Sequence, residues 1–524
     1  MRDPIVKSTK GKIEGLTENG VNKYLGIPFA KPPIGDLRFL PPVENEAWEG
    51  VYEAKTMPNS PMQPTSKNKK PSRKLTKMSE DCLYLNVYTP DDSKGRNLPV
   101  MYWIYGGGYT VGSSAMPIYE GENFVKNNDV ILVTANYRVG IFGFMSHPAL
   151  EDKAEHYTNA GVADAIAGLT WVKNNIAEFG GNPDNVTVFG QSAGSSLINI
   201  LMLSPQAEGL FHAAITQSGS PFNHDEWDID IKGTEEKCMN YLATVGITSE
   251  EDLYNATAEQ FLENPDGYAR AEFCPYVDGY LIPDRLEKLF LEGKFHDVPV
   301  ILGCTADEAS SLVNGGDAHG SQTMTTKESF GKTIDIKYPN PEHNKFIWEK
   351  YGPYAEFDPG FALYRFRSDN SVANMRYFAS CLYEHNENPV YYYIFEHIPP
   401  TEDPSFLGAH HGCEVPYIFQ NLEDDKEVVA YGEYDKVISN SVAKYWTDFA
   451  KKHNPNSNEQ PQWEEFTPKN NMIMYLNEPC ECLELKTKKI TDIFERFLAE
   501  RTETNNPGLK VKYKEAKLLK KAIK

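Results

Sequence analysis

The sequence predicts an open, mostly parallel α/β sheet with helices on both faces. Short, almost continuously apolar runs recur along the chain, as strands covered on both sides do. Between two of them, apolar residues take the three- and four-residue spacing of a helix. The stretch "NVTVFGQSAGSS", residues 185–196, passes from β-formers through a glycine-flanked turn into a helical pattern. Such alternation of strand and helix is the signature of a parallel sheet with crossover helices. With 524 residues, 40% hydrophobic and 12% aromatic, the chain has material for a large core.

In chain order, strands are predicted at 98–105 (LPVMYWIY) and 130–137 (VILVTANY). A helix follows, in which Val162, Ile166, Leu169, Val172, Ile176 and Phe179 share one face until Gly180 and Gly181 stop it. Val186 to Phe189 form the next strand, and Ser195 to Leu203 the helix after it. Further strands are predicted at 213–217, 298–304, 389–395 and 472–476. Two long interruptions, about 222–297 and 320–388, contain helical-looking and loop stretches without a place in the sheet, and we expect them to cap its C-terminal edge. Residues 59–79 are polar and Lys-rich and read as a surface loop. The tail, 506–524, carries seven lysines and reads as a solvated terminal helix or frayed end.

Composition excludes some functions. A net charge of −22 argues against nucleic acid or an anionic membrane as the main partner. No apolar run is long enough for a transmembrane helix. The polar N-terminus, "MRDPIVKSTKGKIEG", has no secretory h-region, and the eight cysteines follow no small-domain disulfide spacing. Together these lead us to expect a cytoplasmic protein. Nothing in the sequence assigns an oligomeric state.

Reactive residues of an open α/β sheet belong beyond the C-terminal ends of its strands. In "GQSAG", Gly190 and Gly194 flank Ser192, an arrangement that suits a hydroxyl held on a strained strand-to-helix turn. Such a match arises by chance in roughly one chain in six of this length, so a base, an acid and oxyanion donors must be found elsewhere. Gly106, Gly107 and Gly108 follow a buried strand and leave the backbone free to approach an ester oxygen. A serine needs a base, and histidine suits neutral pH. Of twelve histidines, His410 and His411 stand out, bracketed by glycines beside Glu414. A zinc site from His410, His411, Cys413 and Glu414 is disfavoured, because adjacent side chains seldom converge and helical i, i+4 spacing is absent. No metal or other cofactor is expected.

Across nearly its whole length the chain resembles the type-B carboxylesterases, the cholinesterase-like branch of the α/β-hydrolases. The resemblance rests on "YLGIPFAKPPIGDLRF" (24–39), "SEDCLYLNVYTP" (79–90), "WIYGGGYTVGS" (103–113), "NYRVGIFGF" (136–144), "FGGNPDNVTVFGQSAGS" (179–195), "TQSGSP" (216–221) and "HHGCEVPYIF" (410–419). It implies one α/β-hydrolase domain over 1–505 and a serine carboxylesterase acting on a small uncharged ester through an acyl-enzyme. Ser192 would be the nucleophile, His411 the base and Glu308 the acid, in the chain order of this fold. The amides of Gly107, Gly108 and Ala193 would form the oxyanion hole, and Ser218 would support the site. Arg38 with Glu80, and Arg138 with Asp164, resemble structural ion pairs of the family. A catalytically silent adhesion relative, a lipase, an amidase or a plant-ester esterase are the alternative readings.

This sequence departs from the family pattern in places. Ala309 stands where glycine usually follows the acid, which keeps Asp307 as a fallback. Ser60 stands about where secreted relatives carry the partner of Cys82, which leaves that cysteine unpaired. Residues 57–81 lack the tryptophan that stacks on choline, and Gln191 replaces the acidic residue cholinesterases carry before the nucleophile, so a choline ester is a poor substrate expectation. In "GYARAEFCPYVDG" (267–279), Ala269 and Ala271 fall near positions where acetyl-selective relatives carry aromatics, with Phe273 close by. These residues and Gln191 are the expected substrate contacts.

Overall fold

The strand runs assemble into one sheet of eleven strands. A computed structural model describes residues 3–65, 74–156, 158–222, 230–311, 325–401, 407–422 and 430–509. The lysines of the C-terminal tail lie outside the described residues. In chain order the strands are β1 (Leu16–Glu18), β2 (Val21–Pro28), β3 (Tyr84–Pro90), β4 (Leu98–Ile104), β5 (Ile131–Ala135), β6 (Gly181–Gln191), β7 (Ala213–Gln217), β8 (Val300–Thr305), β9 (Val390–Phe395), β10 (Met472–Leu476) and β11 (Glu481–Glu484). Across the sheet they run β11-β10-β9-β8-β7-β6-β4-β5-β3-β2-β1. Every pairing from β5 through to β10 is parallel, and the two margins are antiparallel.

Seven of these strands coincide with the apolar runs. The antiparallel margins do not, for a physical reason. In β3 the apolar run is broken by Asn86, which is buried all the same: it accepts from Gly26 N–H (2.9 Å) and donates to Thr134 (3.0 Å). In β2 the buried Lys23 meets Glu18, Glu120 and Glu122 at 2.5–3.1 Å. Buried polar groups with partners cost little, yet they erase the hydrophobic pattern from which strands are read.

The helix predicted over 162–179 is α-helical from Ala160 to Asn175 and tightens to a 3₁₀ turn over Ile176–Phe179 before Gly180. Among the described residues the two interruptions contribute no strand to the sheet. The first holds helices Ile231–Thr244, Glu250–Asn255, Pro265–Ala271 and Leu286–Leu291; the second holds Lys327–Lys337, Pro341–Ala355 and Pro359–His385. The second set packs with the last helix, Lys488–Asn505, around a separate apolar cluster that includes Phe330, Ile347, Tyr351, Phe366, Phe494 and Phe497.

Beneath the centre of the sheet, Trp103 of β4 packs on Phe189 of β6 (4.9 Å between ring centroids) and on Phe419 (5.0 Å). Phe419 ends the short helix Val415–Phe419 that follows the histidine pair. The histidine segment is thereby locked to the two strands that carry the glycine loop and the serine.

Candidate active site

Four parallel strands deliver their C-terminal ends to one place. The glycine loop follows β4, Ser192 follows β6, Ser218 follows β7 and Glu308 follows β8. Backbone hydrogen bonds continue beyond the strands: Ser192 N–H donates to Gln217 C=O (2.8 Å), Ser218 N–H to Gly303 C=O (2.8 Å), and Asp307 N–H to Ala409 C=O (3.0 Å). An isolated parallel bridge between Asp307 and His410 joins the acid segment to the histidine segment, although about a hundred residues separate them in the chain.

Ser192 has φ 57° and ψ −126°, a left-handed conformation that a serine adopts only when its surroundings impose it. The two flanking glycines make room for that turn. A Cβ on Gly194 would lie 2.1 Å from Ile104 C=O, and one on Gly190 2.6 Å from the same oxygen. Strand β4 passes that closely under the turn. Helix Ala193–Leu203 starts immediately after the serine, so the Ala193 N–H is one of the donors that a helix start leaves over. Neither it nor the N–H groups of Gly107 and Gly108 donate to a protein group among the described residues.

His411 Nδ1 meets Glu308 Oε2 at 2.5 Å. The other Glu308 oxygen accepts from Ser218 Oγ (2.5 Å), Thr305 N–H (2.8 Å) and Thr305 Oγ1 (3.0 Å). Burial alone would push this carboxyl up, but the charge and hydrogen bond of His411, with those of Ser218 and Thr305, outweigh it and hold the group below the usual carboxylate range. Glu308 is thus an anion, and the ring nitrogen facing it carries a proton.

Asp307, the fallback acid, is engaged elsewhere. It accepts from Ala409 N–H (3.0 Å), from the Tyr364 hydroxyl and from Arg365 (3.3 Å). His410 Nδ1 lies 3.4 Å from Gly408 C=O. Glu414 turns to Gln217 (3.2 Å), whose side-chain oxygen accepts from Trp446 Nε1 (3.2 Å). Among the described residues no three His, Cys, Asp or Glu side chains converge as metal ligands would. Sequence reasoning anticipated Ser218 but missed Thr305, which stands three residues before Glu308 and was legible as a short-range Thr–carboxylate pairing.

Gln191, read from sequence as a substrate contact, has its side-chain amide nitrogen 3.0 Å from His411 Nε2. The expected acyl residues lie on or just after helix Pro265–Ala271, with Ala271 buried and Ala269 half-buried. Phe273 packs edge-on to Tyr241 (5.3 Å) and Tyr268 (5.0 Å), and Tyr268 OH accepts from Ile141 N–H. Its ring is thereby part of an internal aromatic cluster. The family-like ion pairs form: Arg38 grips Glu80 through two 2.6 Å bonds, and Arg138 grips Asp164 at 2.7 and 2.8 Å. Cys82 is buried and unbridged, and Ser60 bonds Thr76 instead (2.9 Å).

Comparison with known proteins decides the family. Residues 2–492 match the model of the carboxylesterase family. The chain belongs to the carboxylesterase family. It is 34% identical over 489 residues to para-nitrobenzyl esterase of Bacillus subtilis (strain 168), covering 88% of this chain and 92% of that one. It is 33% identical over 491 residues to pyrethroid hydrolase Ces2a of Mus musculus (88% and 85% covered) and 32% identical over 527 residues to cocaine esterase of Oryctolagus cuniculus (93% and 94%). A solved structure of PNB esterase superposes with a TM-score of 0.81 at 30% identity, covering 94% of this chain and 99% of that one. This esterase has the α/β-hydrolase fold and hydrolyses carboxylic esters. No described helix is long and apolar enough to cross a membrane.

Proposed function

We propose that ester hydrolysis runs through Ser192, with His411 as its base, Glu308 as the orienting acid, and the N–H groups of Gly107, Gly108 and Ala193 as the oxyanion hole. The observation that carries this reading is the 2.5 Å contact between His411 Nδ1 and buried Glu308, which fixes the tautomer and leaves Nε2 as a proton acceptor. Ser192 Oγ attacks the ester carbonyl carbon as its proton passes to Nε2, and the carbonyl oxygen becomes an anion received by three backbone donors. The tetrahedral species collapses, the C–O bond to the alcohol breaks, and Nε2 returns the proton to the leaving alkoxide. Water then attacks the acyl-serine in the same way, releasing the acid and restoring Ser192.

Gln191 is neutral and residues 57–81 lack a tryptophan, features that favour an uncharged ester. Relatives named for para-nitrobenzyl esters and pyrethroids are consistent with that. Turnover of p-nitrophenyl acetate by Ser192→Ala and by His411→Ala should fall on the order of 10⁶-fold each, since nucleophile and base act as one unit. Residual activity within tenfold of wild type in either variant would remove that residue from the mechanism. With p-nitrophenyl acetate, butyrate and hexanoate, we expect kcat/KM to hold or rise with chain length, on the reading that Ala269 and Ala271 border the acyl group; a preference for acetate would show that they do not.

A further inference from the structure

The contact on the far side of the histidine ring has a consequence of its own. His411 Nδ1 is a donor to Glu308, so in the neutral ring Nε2 bears a lone pair. The Gln191 amide nitrogen lies 3.0 Å from Nε2 and donates to its lone pair. The Ser192 hydroxyl makes no hydrogen bond among the described residues. The fold makes room for this arrangement. Gln191 is 8% exposed, and its side chain lies between two glycines: a Cβ on Gly412 would sit 3.3–3.4 Å from three of its amide atoms, and one on Gly106 3.2 Å from its Oε1.

We infer that Gln191 is a positioning residue for His411: its amide holds the base's reactive nitrogen in the free enzyme and yields it to Ser192 Oγ when an ester binds. The inference rests on the roles proposed above for Ser192 and His411. A primary amide suits the task because it is neutral and its N–H donates to neutral Nε2. A donor on the lone pair stabilises the neutral ring, whereas a carboxylate at the same place would stabilise the cation. Among the described residues, the charged groups that bear on His411 include Glu308 from the segment after β8 and Glu414 from its own segment, with Asp307 tied to Ala409, Tyr364 and Arg365. These are common to wild type and variants, so a difference between them reports position 191.

The test is the pH profile of kcat/KM for p-nitrophenyl acetate in wild type, Gln191→Met and Gln191→Glu, each checked for an unchanged thermal midpoint, with Ser192→Ala alongside. The expected result is an acid-limb midpoint that moves up by a few tenths of a pH unit in Gln191→Met and by about one unit in Gln191→Glu. Midpoints within about 0.2 unit of wild type in both variants, or a shift in Gln191→Met as large as in Gln191→Glu, would overturn the inference. If Ser192→Ala is inactive while the midpoints stay fixed, only this inference fails. If Ser192→Ala retains activity, the assigned roles fail and the inference falls with them.

Discussion

At the scale of single residues, the site contains two buried glutamates whose carboxyls are shifted in opposite directions. Glu308 has four hydrogen-bonding contacts and is an anion. Glu414 has one side-chain partner among the described residues, Gln217, and burial together with the negative charge of Glu308 pushes its carboxyl up from an ordinary 4.5 to about 7. A carboxyl raised on folding works against stability as pH rises: the folded state keeps a proton that the unfolded chain gives up. Stability should therefore decline between about pH 4.5 and 7 and level off above, by up to on the order of 3 kcal/mol from this group. Glu414→Gln mimics the protonated form. It should match wild type in thermal midpoint at pH 5 and exceed it at pH 8; a difference that is the same at both pH values would show that Glu414 is already ionised. The glycines around Ser192 were legible in sequence because a strained turn demands them locally. The contact of Gln191 with His411 was not legible, because the two lie 220 residues apart and no local pattern reports such a pairing.

At the scale of elements, helix Pro359–His385 bears on the site through Asp307. Tyr364 and Arg365 on that helix hold one Asp307 oxygen, and Ala409 N–H holds the other. One carboxylate therefore joins the acid segment, the histidine segment and the helix. Asp307→Ala should leave the Glu308–His411 pair intact in chemistry but loosen its placement. We expect kcat to fall by about 10- to 100-fold, as small misplacements near a reacting centre do, with less than the loss in Ser192→Ala. A loss equal to that of Ser192→Ala would restore Asp307 as the acid, and no loss would show that the bridge between segments suffices. Central strands were legible because parallel strands covered on both faces must be apolar throughout. The antiparallel margins were not, since Asn22, Lys23 and Asn86 are buried there with polar partners.

At the scale of the whole molecule, the last helix, Lys488–Asn505, packs on helix Pro359–His385 around the apolar cluster and is tied to it by the Arg376 guanidinium. Arg376 is 5% exposed and bonds Glu495 at 2.5 and 2.7 Å and Asp492 at 2.6 Å. Glu495 is itself 6% exposed, so removing Arg376 takes two charge-assisted bonds from a buried carboxylate. Breaking such a pair typically costs about 3–5 kcal/mol, whereas replacing both members with apolar residues of similar volume is often neutral. Arg376→Met should thus shorten the half-life of activity on heating by at least tenfold, and Arg376→Met with Glu495→Leu should recover most of it. At temperatures where both are folded, kcat/KM for p-nitrophenyl acetate should stay within twofold of wild type, because the clasp touches neither the glycine loop nor the Ser192, Glu308 and His411 segments. An unchanged half-life in Arg376→Met would mean that the apolar cluster of Phe366, Phe494 and Phe497 holds the helix without it. A double variant no better than Arg376→Met would place the loss in the exposed bond to Asp492 instead.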